Sequence, residues 1–593
     1  MKTKLTFFLI LPFFFILSAL AGSASWNLNP TNGDWNTAAN WMPSTVPNGP
    51  SDVATFGASN VTAISPSADT TVDGVVFNPG ASAFTITSPG KTLTFSGQGV
   101  TNNSGSVQNF ATETAQPKVG TILFLNEATA GDSSVYTVSG TNSLIMFSGD
   151  SDAGNATLVV EGGIPGNENG SVIEFDGNST AGNAAILGKA GASFIRFFGS
   201  STAGTASIIV EGPSEELFNG GFCIFSGSAS ADHSTITLGG SPGSGADFAG
   251  DVAFLDTSDA GDAVITANGA TGDGGAGGIV FCSGRGASLA NAMIVANGTD
   301  FQDATGGQIV LAGAPDNGDA TLIIKGGQTA GGQCIFSRPS EGRARAEVFG
   351  NGTIVIDEVV TLGSIEGDGV ISVGSVAGGL TTGSNNLSAT FSGLIQDGTR
   401  AGSIEKIGTG TLTLSGSNTY TGGTTVTSGI LLVSNVSGSA TGTGAVSVNT
   451  GTLGGSGIIA GAVTFGTNSG TGAFLAPSKG VKKPATLAIQ GALTLNDDST
   501  CLYKLDTKRA KADEVIANGV VIDSGAKFSL RPSGTIALTT GQVFTVISNT
   551  SASPIAGTFH NLRDGQIISV NGSNLQAGYT GGDGNDLVLT VVP

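Results

Sequence analysis

The chain has 593 residues, 95 of them glycine, with 11% charged and 39% hydrophobic residues and a formal net charge of −21. Disorder by composition needs low hydrophobicity and dense charge, so that class is excluded. The thinly spread negative charge also speaks against nucleic acid as a partner, because phosphate binding needs a basic face.

The N-terminus reads as a secretory signal. Lys2 and Lys4 form a charged start, Leu5 to Leu17 an apolar stretch, and Ala19-Leu20-Ala21 a small-x-small cleavage site, with Ala24 a second candidate. That run is too short for a membrane span, and no later stretch is long and apolar enough to cross a bilayer as a helix. The mature protein is expected to be exported, at the cell surface or outside the cell.

A segment marked by all three tryptophans follows, Trp26, Trp35 and Trp41. Large aromatics suit the closing of an open apolar core, so this segment is read as a cap. A carbohydrate site on the same tryptophans is the alternative. Strand-like runs such as Val75-Val76-Phe77 and Phe84-Thr85-Ile86-Thr87 lead onward.

Between Phe124 and Gly342 one phrase recurs: apolar-x-Phe, a polar turn, Ala-Gly-(Asn/Asp)-Ala, then an alternating apolar run. Phe124–Gly131, Phe147–Gly154, Phe175–Gly182, Phe197–Gly204, Phe254–Gly261 and Leu311–Gly318 all keep an interval of seven, and Phe225 reaches Asp232 at the same distance. Phe281 and Phe336 begin degraded copies. A constant turn within units of variable length predicts stacked layers, a solenoid whose length changes are confined to a loop. Strands of successive layers then pair in parallel about 4.8 Å apart, and Phe forms an inward column. Gly154 is expected at positive φ. Asn155, with Asn183, Asp262 and Asp319 in its column, is expected to bond neighbouring backbone at the bend.

Four cysteines accompany the repeats or follow them. Cys223 and Cys334 both lie two residues before an anchor Phe, four layers apart, or about 19 Å at the layer spacing. A disulfide needs Cα atoms within about 7 Å, so none is expected. Cys282 follows its Phe and is expected to face the other way, and Cys501 is read as a small core residue.

Past about residue 350 the phrase changes. Lys406-Ile-Gly-Thr-Gly-Thr-Leu-Thr-Leu-Ser415 runs into Gly416-Ser-Asn-Thr-Tyr420, Thr421-Gly-Gly-Thr-Thr-Val426 and Ser428-Gly-Ile-Leu431. This stretch closely resembles the autotransporter-associated β-strand repeat. The Trp-containing start and the end, Gly557-Thr-Phe559 through Tyr579-Thr-Gly-Gly-Asp-Gly-Asn-Asp-Leu587, also look like the termini of proteins carrying it. The resemblance implies an exported right-handed parallel β-helix from a bacterium, and implies no catalytic activity. Families of this kind end in a translocator β-barrel. Here the sequence reaches Leu587-Val-Leu-Thr-Val-Val-Pro593 directly after the closing motif, so the resemblance is to the passenger without its barrel.

Other constellations are weak. Gly239-Gly-Ser241-Pro-Gly243 fits G-x-S-x-G, but that motif needs a strand-turn-helix elbow with His and Asp partners, and only His233 and His560 exist. Gly90-Lys91-Thr92 lacks the earlier glycine of a phosphate loop. Gly581-Gly-Asp-Gly-Asn-Asp-Leu-Val-Leu589 fits one calcium β-roll nonapeptide, with Asp583 and Asp586 as ligands, yet a calcium ion wants six or more oxygens. The plainer assignment is a Gly-Asp turn before the last strand. Lys508-Arg509-Ala510-Lys511 is offset by Asp506, Asp513 and Glu514 and reads as a solvated loop. Asp256, Asp259 and Asp262 are the best carboxylate cluster, but two of them fill ordinary turn positions of the repeat, and adjacent coils present no aligned Asp with Arg.

The expected fold is therefore all-β, a right-handed parallel β-helix with capping segments at both ends. It divides into a signal peptide (1–24), a Trp-containing cap with first coils (25–118), degenerate 22–30-residue repeats (119–350), the autotransporter-associated repeat region (351–500), and C-terminal coils with a cap (501–593). The expected role is a structural or adhesive surface protein without catalytic activity, with extracellular polysaccharide or another surface component as partner. The rivals are a polysaccharide lyase or glycoside hydrolase on a β-helix, and a carbohydrate binder using the tryptophans. No catalytic residue, cofactor or metal site is assigned.

Overall fold

The computed structural model describes residues 22–115, 118–163, 170–214, 219–243, 249–374, 379–470 and 472–593. Positions 1–21, most of the expected signal peptide, lie outside the described residues. The chain is a parallel β-solenoid of about 19 turns, or about 90 Å of stacked layers at the usual strand spacing. Among the described residues there is no α-helix, only a 3-10 turn at Ala38–Asn40.

Each coil of the repeat region has two short strands, such as Leu144–Phe147 and Thr157–Val160, in different sheets. Both alternate in burial, so the inward residues come at a period of two. The first sheet stacks Phe124, Phe147, Phe175, Phe197, Phe225 and Phe254 in exact register. Their rings lie parallel, with Phe175 4.7 Å from both Phe147 and Phe197. The second sheet runs beside it from Ala63–Ile64 to Lys527–Ser533.

The register corrects one expectation. Cys282, not Phe281, follows Phe254 in the inward column and precedes Leu311. Cys282 is fully buried while Phe281 is half-buried on the outer side. The Phe side chain drew the reading to 281, because in this copy the interval of seven no longer holds: Ser288, at the corner bridge, lies six positions after Cys282, whereas Asp259 lies five after Phe254. Cys223 and Cys334 do share a column four layers apart, through Val252, Val280 and Ile309. All four cysteines are free and buried, and burial pushes the Cys223, Cys334 and Cys501 thiols far up, and that of Cys282 to about 12.

The corner between the two strands forms a third, minimal face. Thr129, Asp152, Thr180, Thr202, Ser230, Asp259, Ser288 and Asp316 pair from coil to coil through single bridges. Most of these side chains accept the N–H two residues on, as Thr180 Oγ1 does from Gly182 at 3.0 Å and Asp259 Oδ1 from Gly261 at 2.9 Å. That local bond closes the turn and leaves the acceptor's second neighbour in the left-handed region. Gly154 has φ 61°, as its place requires, and Asp232 holds the same corner at φ 51°.

Beyond Val360 the corner widens into a true third sheet, from Val360–Leu362 to Val520–Ile522. The first sheet ends at Leu394–Asp397, and strand pairing along that side resumes at Ile458–Ile459. Across the gap a side chain replaces the missing peptide group. Asn418 Oδ1 accepts from Ile395 N at 2.7 Å in the coil before, and its Nδ2 donates to Ala440 O at 2.6 Å in the coil after. Tyr420 beside it is fully buried, with its hydroxyl 2.6 Å from Thr424 Oγ1.

At the far end the ladder turns antiparallel: Val543–Asn549, Asp586–Val592, Ser573–Gly581 and Ile567–Val570 pair in that order. At the near end Trp26, Trp35 and Trp41 meet edge-on, with Trp26–Trp41 and Trp35–Trp41 centroids at 5.0 and 5.1 Å, over the first inward ring, Phe56. No helix is long and apolar enough to cross a membrane among the described residues.

Candidate functional site

The sequence-selected residues are absorbed by the coil. Asp256 accepts hydrogen bonds from Ser226 Oγ and Gly227 N of the preceding coil, which hold its carboxyl below the usual range. Asp259 closes its own corner and takes Ser230 Oγ at 2.7 Å. Asp262 takes Asn291 Nδ2 at 3.0 Å and lies 3.4 Å from His233 Nδ1. The three carboxylates are thus turned to three different neighbours. The Asn column departs from expectation in a related way: its side chains bond one another rather than backbone, Asn155 to Asp132 at 2.6 Å and Asn183 to Asn155 at 3.1 Å. Stacked identical corners put like side chains one layer apart, within direct reach.

Ser241 of the G-x-S-x-G stretch is fully buried and donates to Gly243 O at 2.9 Å, so its hydroxyl serves its own turn. Asp583 and Asp586 lie at the tight connection between antiparallel strands, where Gly581 pairs with Asp586. Asp586 Oδ1 accepts from Asn549 N at 2.8 Å. Stacked parallel turns, which a calcium β-roll uses, are not built there. The tryptophans are 4%, 0% and 1% exposed, and the indole N–H groups of Trp35 and Trp41 are spent on Pro47 O and Trp35 O. No indole face is open to stack on a sugar.

Two outward surfaces carry more chemistry, and sequence reasoning missed both. On the first sheet, Glu174 is in register with Arg196 of the next coil, 3.9 Å apart, and Arg196 lies 4.7 Å over the Phe194 ring. Phe194 stacks on Phe222 at 5.4 Å, and Asp251 follows Phe222 in the same outer column. Burial lifts the Glu174 carboxyl despite Arg196, and lifts Asp251 to about 7. Asp251 Oδ1 is buried with no hydrogen-bond partner. Perturbed carboxyls beside aromatic rings are a site-like signature. Glu174 and Asp251 are three coils apart, however, or about 14 Å, whereas paired glycosidase carboxylates lie within about 5–9.5 Å.

The second surface is a notch in the outer face of the second sheet. Ser364–Gly367 and Ala389–Phe391 pair only through Gly367 and Phe391, and this break opens a cavity of about 390 Å³. Phe349, Glu366, Ser388, Thr390, Thr411 and Thr413 line it, with Phe349 40% exposed. Glu366 is register partner to Glu347 in the coil before, and Arg345 binds both, at 2.6 Å to Glu366 Oε2 and 3.2 Å to Glu347 Oε1. Adjacent coils therefore do present aligned carboxylates with an arginine. They are Glu rather than Asp, and they become visible only once the register is known.

One buried cation lies in the recognisable repeat. Lys406 is 1% exposed, and its ammonium donates to the carbonyls of Ile407, Gly408 and Ser428. Burial pushes its pKa down to about 8.

Residues 404–433 match the model of the family described as passenger-associated-transport-repeat, so this stretch is an autotransporter-associated repeat embedded in the solenoid. No curated protein matches the chain. Among solved structures, the crystal structure of the Haemophilus influenzae Hap adhesin aligns with 91% of this chain at 11% identity and a TM-score of 0.27. The alignment covers 64% of that adhesin chain.

Proposed function

We propose that this solenoid, built around a passenger-associated transport repeat, is an exported surface protein with a structural and adhesive role and no catalytic activity. The observation that carries the reading is how the polar residues are used: Asp256, Asp259, Asp262 and Asn418 hold one coil to the next. The long outer faces are then the working surface. The notch at Phe349 and Glu366 is the place where this reading seats a neutral glycan, with the half-exposed ring as a platform and Ser and Thr hydroxyls around it.

Fractionation of the native cells with surface proteolysis tests the location, and protein confined to the cytosol would overturn it. Immobilised glycans test the role: retention of sugar without product, weakened by Phe349→Ala in a folded protein, is the expected result.

Glu347, Glu366 and Arg345 favour a second reading, a glycoside hydrolase or lyase. Against it, the Arg345 guanidinium binds both Glu366 oxygens, at 2.9 and 2.6 Å, which suits holding better than proton transfer. New reducing or unsaturated ends that vanish in Glu366→Gln would establish this second reading over the first.

A further inference from the structure

The chain is acidic as a whole, but its cations are not evenly placed. Between Lys479 and Arg531 there are nine Lys and Arg against six Asp and Glu, a local balance of +3. The rest of the sequence has fourteen against thirty-eight. Coulomb effects between exposed charges fade over about 8–10 Å at ordinary ionic strength, so a ligand here meets the local balance and not the −21 of the whole.

The fold sharpens that asymmetry by burying two of the six local carboxylates, Asp506 and Asp513, and by engaging two more in backbone hydrogen bonds. Asp513 is fully buried and accepts from Ser478 Oγ at 2.7 Å, Ala485 N at 2.8 Å and Lys504 N at 2.7 Å. It therefore does not offset the 508–511 loop as the sequence implied. Asp506, 4% exposed, binds Arg509 at 2.6 Å. Asp498 accepts the N–H groups of Thr467, Asn468 and Gly470, and Asp497 that of Gly525. The cations point the other way. Lys479, Lys482, Lys483 and Arg531 are exposed, and the ion pair Arg509–Asp506 is the only one in this region among the described residues.

Three of these cations converge. A cavity of about 280 Å³ on the outer face of the second sheet is lined by Lys479, Lys504 and Arg531 with Ser478 and Tyr503, and no carboxylate lines it. Lys504 and Arg531 are register partners on neighbouring strands. Lys504 Nζ is steadied by Val481 O at 2.7 Å, which fixes one wall of the cavity. A guanidinium and two ammonium groups around one concavity suit an oxyanion, with Arg531 able to bind it through two N–H groups.

We propose that this cavity binds the anionic groups of an acidic extracellular polysaccharide, sulfate or carboxylate, as a site separate from the notch. Nucleic acid fits less well, because no exposed aromatic borders the cavity to stack a base. Lys479 and Arg531 are exposed and make no fold-supporting ion pair, so the site can be emptied without unfolding the coil.

The test is calorimetric titration of the full chain with a sulfated hexasaccharide, a polygalacturonate oligomer and a neutral hexasaccharide. Binding of either acidic oligomer, weakening with added salt, is expected, with none at this cavity for the neutral sugar. Lys479→Gln with Arg531→Gln should raise Kd at least about tenfold with an unchanged melting curve. The control pair Lys325→Gln with Arg338→Gln removes the same charge elsewhere and should leave Kd within about twofold. Equal weakening by both pairs would show attraction to net charge and overturn the site. So would binding to anionic phospholipid vesicles with no binding to either acidic oligomer.

Discussion

The inward phenylalanine column can be tested by one truncation, Phe175→Ala. Phe175 is fully buried between Phe147 and Phe197, each 4.7 Å away with rings within 8° of parallel. Core Phe→Ala changes cost about 3–5 kcal/mol, and the cost rises where neighbours cannot collapse into the space. Here the strands on both sides are fixed by the ladder, and two ring contacts of roughly 0.5–1.5 kcal/mol each are lost. We therefore expect about 4 kcal/mol, or about a thousandfold in local opening. Phe175→Leu should cost about 1 kcal/mol, since Leu311 already stands in this column. Hydrogen exchange followed by mass spectrometry reads the result peptide by peptide. Protection should fall in Leu144–Phe147, Val172–Phe175 and Phe194–Phe197 and hold in Gly49–Phe56 and Asp586–Val592, because each layer contacts only its neighbours. Equal loss at both ends would refute the layer-by-layer reasoning, and unchanged protection around residue 175 would refute the weight given to the ring column.

Further substitutions separate the ends, the gap and the outer face. Trp41→Ala should cost about 3–5 kcal/mol and leave the Trp35 carbonyl without its donor; a lowered melting temperature is expected, and loss of glycan binding at unchanged stability would contradict the cap. Asn418→Ala orphans Ile395 N and Ala440 O, at about 1–3 kcal/mol each, whereas Asn155→Ala on the exposed corner should stay within about 0.5 kcal/mol; denaturant midpoints for the pair decide this. Asp251 has a folded pKa of about 7, above its unfolded value near 3.9, so the folded state binds the extra proton and stability falls as pH rises from about 4 through 7. Asp251→Asn should flatten that slope and stabilise the protein at pH 8 by up to about 4 kcal/mol, less what solvent reaching the half-buried residue recovers; a wild-type melting temperature flat from pH 4 to 8 would refute the assignment.

How much of this was legible in the sequence depends on which relation a residue serves. Inside against outside was legible, because strand alternation has period two and the repeat restates it: Ile145 and Phe147 inward, Leu144 and Met146 outward. Turn chemistry was legible in part: the positive φ of Gly154 follows from backbone sterics, but the bond that closes the turn comes from Asp152, two residues before it, and not from Asn155. What lies above what was legible only where the unit length held. In the copy with a longer turn the spacing no longer marks the anchor, and the Phe side chain at 281 drew the reading there, though pairing in the folded chain places Cys282 inward. The surfaces with most chemistry all depend on this vertical relation. Glu174 meets Arg196 from 22 positions away, Glu347 meets Glu366 from 19, and Lys504 meets Arg531 from 27. Those intervals share no period, because the loops between coils vary in length while the ladder spacing does not. In such a fold the core is written along the chain, and the working surface is written across it.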